Sequence, residues 1–299
     1  MLHYRSGASR QAGAPATVLP PEYAGFYPEL SDRDFSRFCQ LVHRHAGIHL
    51  TPQKKELVRA CLLKILRQRG LTSFQDYYEL LIGDSSGAEL TCLLDTLSTN
   101  QTAFWREPMH FQFLVQEVLP AWPRNRRRPL QANLWSAGCS SGEEPYTLAI
   151  VMAATFPGED LSRVKIYASD LNTRVLAQAE QGIYPFARVA PLPSEWQRQF
   201  FQKGIRQRQG FVRVKPEVRR LVKFFHFNLM DPFPFKEELD IIFCRNVMIY
   251  FDKAIQAKLI EKMYDVLVAG GLLFIGHSEG LALKEHRFKY VQPSIYLKD

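Results

Sequence analysis

The sequence has no run of about 18 uninterrupted apolar residues, so no segment reads as a membrane-spanning helix. Its opening, MLHYRSGASRQAGAPATVLPPEY, has no apolar core, which argues against a secretory signal and reads as a flexible tail over 1–27. Cysteine is scarce: Cys39, Cys61, Cys92, Cys139 and Cys244 are scattered, odd in number and free of any CxxC pair. That pattern speaks against a disulfide framework or a structural zinc site, and the expectation is a cytoplasmic chain with packed thiols. There is no Gly-Lys-Ser/Thr phosphate loop and no G-x-G-x-x-G, and no H-x-x-x-H or His/Cys pair reads as a metal site, so neither a nucleoside-triphosphate loop nor a metal centre is expected.

What remains is an ordinary globular composition. The 299 residues are 46% apolar and 23% charged, enough for one large domain or two modest ones with a proper core. Net charge is +8, unevenly spread: residues 1–100 carry 11 basic and 10 acidic side chains, residues 101–299 carry 27 and 20. Arg124, Arg126, Arg127 and Arg128 form one basic cluster. Lys203, Arg206, Arg208, Arg213, Lys215, Arg219, Arg220 and Lys223 form a second. Such surfaces suit nucleic acid, anionic lipid or an acidic protein, or are simply solvated.

Residues 28–98 read as a small all-helical domain. Ser31 followed by Asp32 and Asp34 marks a helix start, and Phe35, Phe38, Cys39 and Val42 recur at helical spacing up to Gly47. Thr51-Pro52 opens a second helix that ends at Gly70 and turns Arg59, Lys64 and Arg67 away from its apolar stripe. Two more helices fit Ser73–Leu81 and Ala88–Leu97. A linker over 99–110 leads into a region of alternating strands and helices, the pattern of a mostly parallel α/β sheet. Strands are expected at Ala132–Ser136, Val164–Ala168, Val222–His226, Leu239–Phe243, Leu272–Ile275 and Tyr290–Leu297. Helices are expected at Glu144–Thr155, Thr173–Gln181 and Lys253–Val268, the last ended by Gly270-Gly271. A helical sequence, SEWQRQFF, and the alternating Phe211–Val214 break the pattern and mark a small antiparallel insert over about 193–224.

Four stretches carry chemistry. Asn133–Tyr146 runs from strand through Gly138-Cys139-Ser140-Ser141-Gly142 into a helix, and small residues there let a ligand approach the backbone. Glu143 and Glu144 repel a phosphate and favour a neutral or cationic ligand, or else they cap the helix dipole. Asp170, 32 residues after Gly138, ends the next strand, where a carboxylate holds ribose hydroxyls or caps a helix. Ile241–Asp252 ends a buried strand in Cys244-Arg245-Asn246 and then carries Tyr250, whose phenol bonds a ligand or packs. Thr99–Glu107 sets Asn100, Thr102 and Arg106 among aromatics, and Arg106 either orients a carboxylate or makes an interdomain ion pair. His277, in Gly276-His277-Ser278-Glu279, is read as structural.

Together these stretches resemble the chemotaxis receptor methyltransferase (CheR) family over about residues 28–299. The resemblance rests on STNQTAFWRE, WSAGCSSGEEPYT, ASDLNTRVLAQAEQGIY, FNLM, FCRNVMIYFD and GHSE, in that order. It implies a helical domain, a Rossmann-like methyltransferase domain over 111–299 and a small β subdomain. It implies methyl transfer from S-adenosylmethionine to receptor glutamates, giving γ-methyl esters and S-adenosylhomocysteine. Asn100, Thr102, Arg106, Glu144, Asp170, Asn228, Leu229, Arg245 and Asn246 match the family's cofactor positions, with Asp170 at the ribose and Asn228 and Leu229 near the adenine. Arg106 and Tyr250 match positions near the transferred methyl. The implied partners are membrane chemoreceptors, met through their cytoplasmic helical region or a C-terminal peptide docked on the β insert. A monomer is the expectation, and no metal, nucleic acid or membrane insertion. A base methylase is disfavoured because its Asn/Asp-Pro-Pro-Tyr turn is here Cys-Arg-Asn-Val-Met. The remaining alternative is a cofactor-binding adaptor, or a methyltransferase of a non-chemotaxis signalling partner.

Overall fold

The computed structural model describes residues 28–122, 130–280 and 286–299; the 1–27 tail and the Arg124–Arg128 cluster lie outside them. The chain forms two compact units, residues 28–38 with Thr51–Thr96, and Cys39–Leu50 with Leu97–Asp299. Within the segment expected to be one helical domain, residues 39–50 therefore group with the α/β unit.

The helices of the first part are α1 (Asp32–Ala46), α2 (Lys55–Arg69), α3 (Phe74–Gly83) and α4 (Ala88–Leu97). Ser31 Oγ accepts the Asp34 N–H at 3.0 Å, and Ser73 Oγ accepts that of Asp76 at 3.0 Å, each satisfying an orphan donor at a helix start. Thr51 does not cap with its side chain: Pro52–Lys54 form a 3-10 turn and α2 begins only at Lys55. Gly70, at φ +67°, closes α2 in the left-handed conformation that a glycine adopts without strain. Val58, Leu62 and Ile65 are its buried stripe.

The α/β unit holds α5 (Pro108–Phe113), β1 (Gln131–Ala137), α6 (Glu143–Thr155), β2 (Arg163–Asp170) and α7 (Thr173–Gln181). Then come β3 (Ile183–Pro185), α8 (Ser194–Phe200), β4 (Phe201–Lys203), β5 (Phe211–Val214), α9 (Pro216–Arg219) and β6 (Val222–His226). It closes with β7 (Leu239–Cys244), α10 (Lys253–Val266), β8 (Leu267–Ile275), β9 (Lys289–Gln292) and β10 (Ile295–Leu297). Seven strands make one sheet in the order β6-β2-β1-β7-β8-β10-β9, with every pairing from β6 to β8 parallel and the β8-β10 and β10-β9 pairings antiparallel. Leu134 pairs with Ile166 on one side and Ile241 on the other. Alternate β1 side chains enter opposite cores. Leu134 packs with Leu148 and Val151 of α6, and Trp135 with Leu259 and Met263 of α10. A strand buried on both faces shows no polar alternation, which is why β1 and β7 read as apolar runs. The chain leaves β1 towards β2 on one side and returns to β7 on the other, so the crevice at their carboxyl ends is a topological switch point.

The insert is a separate antiparallel sheet, β3-β5-β4. Its first strand lies ahead of residue 193, because Ile183–Pro185 pairs with Phe211–Arg213. The segment expected as one strand at Tyr290–Leu297 is a hairpin, β9 and β10, turned at Ser294 with φ +67°. Gly270-Gly271 does not end α10. The helix stops at Val266, and the glycines sit inside β8, where pairing jumps from Leu239↔Leu267 to Ile241↔Leu272 and Gly270 takes φ +79°. A positive-φ glycine inside a strand marks such an irregularity. Among the described residues no helix is long and apolar enough to cross a membrane.

Candidate functional site

The turn after β1 is shaped by backbone that only small residues permit. Gly138 takes φ +76°, Ser140 φ +49° and Gly142 φ +94°. A Cβ on Gly138 would lie 2.3 Å from Val247 Cγ2, and one on Gly142 would lie 2.8 Å from Ala179 Cβ. Gly138 N and Cys139 N both donate to Ser169 O, at 2.8 and 2.9 Å, so the turn leans over the end of β2. There Asp170, 9% exposed, accepts the Ser140 N–H on Oδ2 and the Asn172 N–H on Oδ1, both at 2.8 Å.

The letters Gly138–Gly142 also spell G-x-S-x-G, with Ser140 between a strand and a helix as in hydrolase nucleophile elbows. Ser140 Oγ instead donates to Asn100 O at 3.0 Å, and among the described residues no histidine is bonded to it. It lacks the base that such a nucleophile needs.

Thr99–Glu107 crosses the crevice as a strap, held mainly by its main chain. Tyr250 Oη donates to Thr99 O (3.4 Å), Ser140 Oγ to Asn100 O and Arg188 Nη1 to Thr102 O (3.0 Å). Trp105 N donates to Thr147 Oγ1 at 3.3 Å, and Arg245 Nη2 donates to Arg106 O. Trp105 and Glu107 take left-handed φ values of +59° and +56°, a strained backbone that these many anchors over-determine. Arg106 is half-buried, and its Nη1 donates to Gln101 O at 2.7 Å.

Arg245 is the charged centre of the site. It is 5% exposed and lies 3.1 Å from Glu107 Oε2 and 3.3 Å from Glu144 Oε2, with the Phe111 ring beside it. Burial works against the ionised form of Glu107, yet Arg245, helped by the His277 N–H that bonds the carboxylate, outweighs it and holds the carboxyl below the usual range. For Glu144 burial wins over Arg245 and over the 2.7 Å bond from Ser136 Oγ, and its carboxyl is raised. Arg245 Nη1 has no hydrogen-bond partner. Asn246, at φ +59°, gives its N–H to Glu279 Oε2 at 2.7 Å; the same oxygen takes Gly276 N at 2.6 Å.

Glu107, His110 and His277 converge with donor atoms within 4.8 Å of one another. The geometry does not suit a metal. The two imidazoles stack at 5.0 Å with planes 4° apart, so their in-plane lone pairs run side by side and do not meet at one point. Arg245 already supplies the cation at Glu107. Burial, with Arg245 beside it, pushes His110 down to about 3, so its ring is neutral and packs as an aromatic.

Of the sequence-derived residues, Asn100, Thr102, Arg106, Glu144, Asp170, Arg245, Asn246 and Tyr250 stand along this strap, turn and strand-end set. Asn228 and Leu229 follow Phe227, whose N–H donates to Asp170 O at 3.0 Å. The Asn228 Nδ2 donates to His45 O at 2.6 Å and its Oδ1 accepts Met230 N at 3.1 Å, while Leu229 is buried in the core with Trp135. Sequence reading missed Glu107, the hub for Arg245, Asn246 and His277, although it directly follows Arg106. It also missed Arg188 and Tyr184, whose contacts come from the insert and leave no local pattern.

An S-adenosyl cofactor fits what is present. The turn is a cradle that a Cβ would fill, an acceptor carboxylate stands at the next strand end, and the acids nearby suit a sulfonium better than a phosphate.

Residues 100–297 match the family described as CheR methyltransferase, SAM binding domain, and residues 33–98 match CheR methyltransferase, all-alpha domain. A chemotaxis protein methyltransferase of Klebsiella aerogenes is 39% identical over 301 residues, covering 99% of this chain and 98% of that one. One of Salmonella typhimurium is 38% identical over 272 residues, covering 89% and 90%. Chemotaxis protein methyltransferase 2 of Pseudomonas aeruginosa is 38% identical over 283 residues, covering 94% and 99%.

Proposed function

The chain belongs to the CheR methyltransferase family, and from that premise we propose that it forms γ-methyl esters on glutamate side chains of membrane chemoreceptors. It is an S-adenosylmethionine-dependent methyltransferase of chemotaxis. The observation that carries the acceptor reading is the bond from Tyr250 Oη to Thr99 O, which puts the phenol against the strap that bears Arg106.

When bound, S-adenosylmethionine supplies a methyl group already activated by its sulfonium. In this reading the Gly138–Gly142 turn, Asp170, Glu144, Asn100, Thr102, Arg245 and Asn246 hold it, with Asn228 and Leu229 flanking. A glutamate acceptor is ionised at neutral pH, so no side chain must remove a proton. The work left to the protein is alignment and exclusion of water. Arg106 attracts and orients the acceptor carboxylate, and Tyr250 limits where it can sit.

The chain acts on the cytoplasmic side as a monomer, where its five cysteines stay reduced. A receptor C-terminal peptide docks on the insert, whose Phe186, Ile205 and Phe211 are exposed beside Lys203. The test is incubation with methyl-labelled S-adenosylmethionine and chemoreceptor-bearing membranes, followed by alkali. Volatile methanol counts that vanish in Asp170→Ala are the expected result. A protein that binds the cofactor yet labels no receptor ester overturns the acceptor assignment.

A further inference from the structure

The insert is more than an appendage of the sheet: its inner face is built into the cofactor turn. Tyr184 of β3 donates its hydroxyl to Ser141 O at 2.6 Å. Phe104 of the strap meets Tyr184 and Phe201 edge-on, at 5.0 and 5.5 Å, and Trp105 meets Trp196 of α8 at 5.3 Å. Arg188, on the 3-10 turn Phe186–Val189 that follows β3, makes the one charged link among these described contacts. Its Nη1 donates to Thr102 O at 3.0 Å and to Glu143 Oε1 at 3.2 Å.

Glu143 is the first residue of α6 and is fully buried, with Ser141 Oγ donating to Oε2 at 2.7 Å. A carboxylate so placed needs a partner, and Arg188, itself half-exposed, reaches in from the surface to provide it. One guanidinium thus joins three segments that are remote in sequence: the insert, the strap and the first turn of α6. From this geometry we infer that Arg188 is a positioning residue for methyl transfer, fixing the strap and the glycine-rich turn relative to each other, so that the insert's inner face sets cofactor affinity. This rests on the cofactor reading above and deepens it.

Three titratable groups face Glu143. They are Arg188, the Tyr184 phenol and the Cys139 thiol; burial raises both of the last two well above their ordinary values, so they stay neutral. Burial also raises the Glu143 carboxyl, against the pull of Ser141 and Arg188. Without Arg188 it has no countercharge and rises further. At low pH it is then neutral and tolerated, and as pH rises it must ionise unpaired beneath the turn.

The experiment is titration calorimetry of S-adenosylhomocysteine, which carries no sulfonium, against the full chain across pH 6–9, for wild type, Arg188→Gln, Arg188→Lys and Arg188→Gln/Glu143→Gln. Arg188→Gln should bind about tenfold more weakly at high pH, recovering as pH falls, since a charge-assisted bond of this kind is lost. Arg188→Lys should recover part of the loss, having charge without the fork. The double variant should bind independently of pH. Wild-type affinity and a flat profile in Arg188→Gln overturn the inference, as does a loss that Glu143→Gln leaves equally pH-dependent. Failure of the wild type itself to bind overturns the cofactor reading instead.

Discussion

Asp170 gives one oxygen to the Ser140 N–H and the other to the Asn172 N–H, so it ties the glycine-rich turn to the start of α7. Asparagine in its place has the same size but a donor where one acceptor was. Either rotamer sets an amide N–H₂ against a backbone N–H. Asp170→Asn should therefore cost about 1–3 kcal/mol, read as a fall in the denaturation midpoint, together with loss of cofactor binding. Unchanged stability would mean that these two bonds contribute nothing. The same residue shows what was legible locally. An acid at a strand end reads as ribose-binding or as capping; here Asn172 is the cap of α7, accepting the Arg174 and Val175 N–H groups, and Asp170 makes a turn contact to the Asn172 N–H instead. Asn228 shows the opposite. Its partner, His45 O, lies 183 residues away, and nothing in the Phe227–Met230 spelling announces it.

At the scale of elements, α10 is anchored at its start by Asp252, which accepts the Ile255 N–H at 2.9 Å and pairs with His43 Nε2 at 2.8 Å. The hydrogen bond from His43, then that from Ile255, hold the Asp252 carboxyl below its usual range. A lowered folded value means that the stabilisation is complete above the unfolded value of about 3.9 and fades as pH falls through the lowered one. Asp252→Ala should cost about 1 kcal/mol near neutrality and converge on wild type in acid. A difference that persists undiminished at the acid end would contradict the capping role. Elements buried on both faces were the readable ones: β1 and β7 stand where apolar runs placed them, because a core strand needs no polar face. Short pieces were not. β3 has three residues and exists through its pairing with β5, and the β9–β10 hairpin turns at a serine rather than a glycine. In each case tertiary pairing, not local preference, makes the strand.

Across the whole molecule some of the basic side chains are tied to main-chain carbonyls and others stand exposed. Arg59 donates to Pro28 O and pairs with Glu56, Lys215 donates to Gln199 O, and Arg219 donates to Glu180 O. Lys64, Arg67, Lys203, Arg206, Arg208, Arg213, Arg220 and Lys223 are exposed. Charge counting alone could not separate the two groups. If the exposed set meets acidic receptor helices, reversing Lys64 and Arg67, or Arg206 and Arg208, to glutamate should slow methylation at low salt. It should also flatten the salt dependence, since exposed charges are screened within about 8 Å at 0.15 M. Rates that match wild type at low ionic strength would remove these faces from the encounter. The strap adds a last consequence. Thr99, Asn100, Thr102 and Arg106 are anchored through carbonyls and Trp105 through its amide, so the anchoring reads chain length and not side-chain identity. Drift at its side chains leaves the anchors in place, whereas a one-residue insertion or deletion would put every anchor out of register at once.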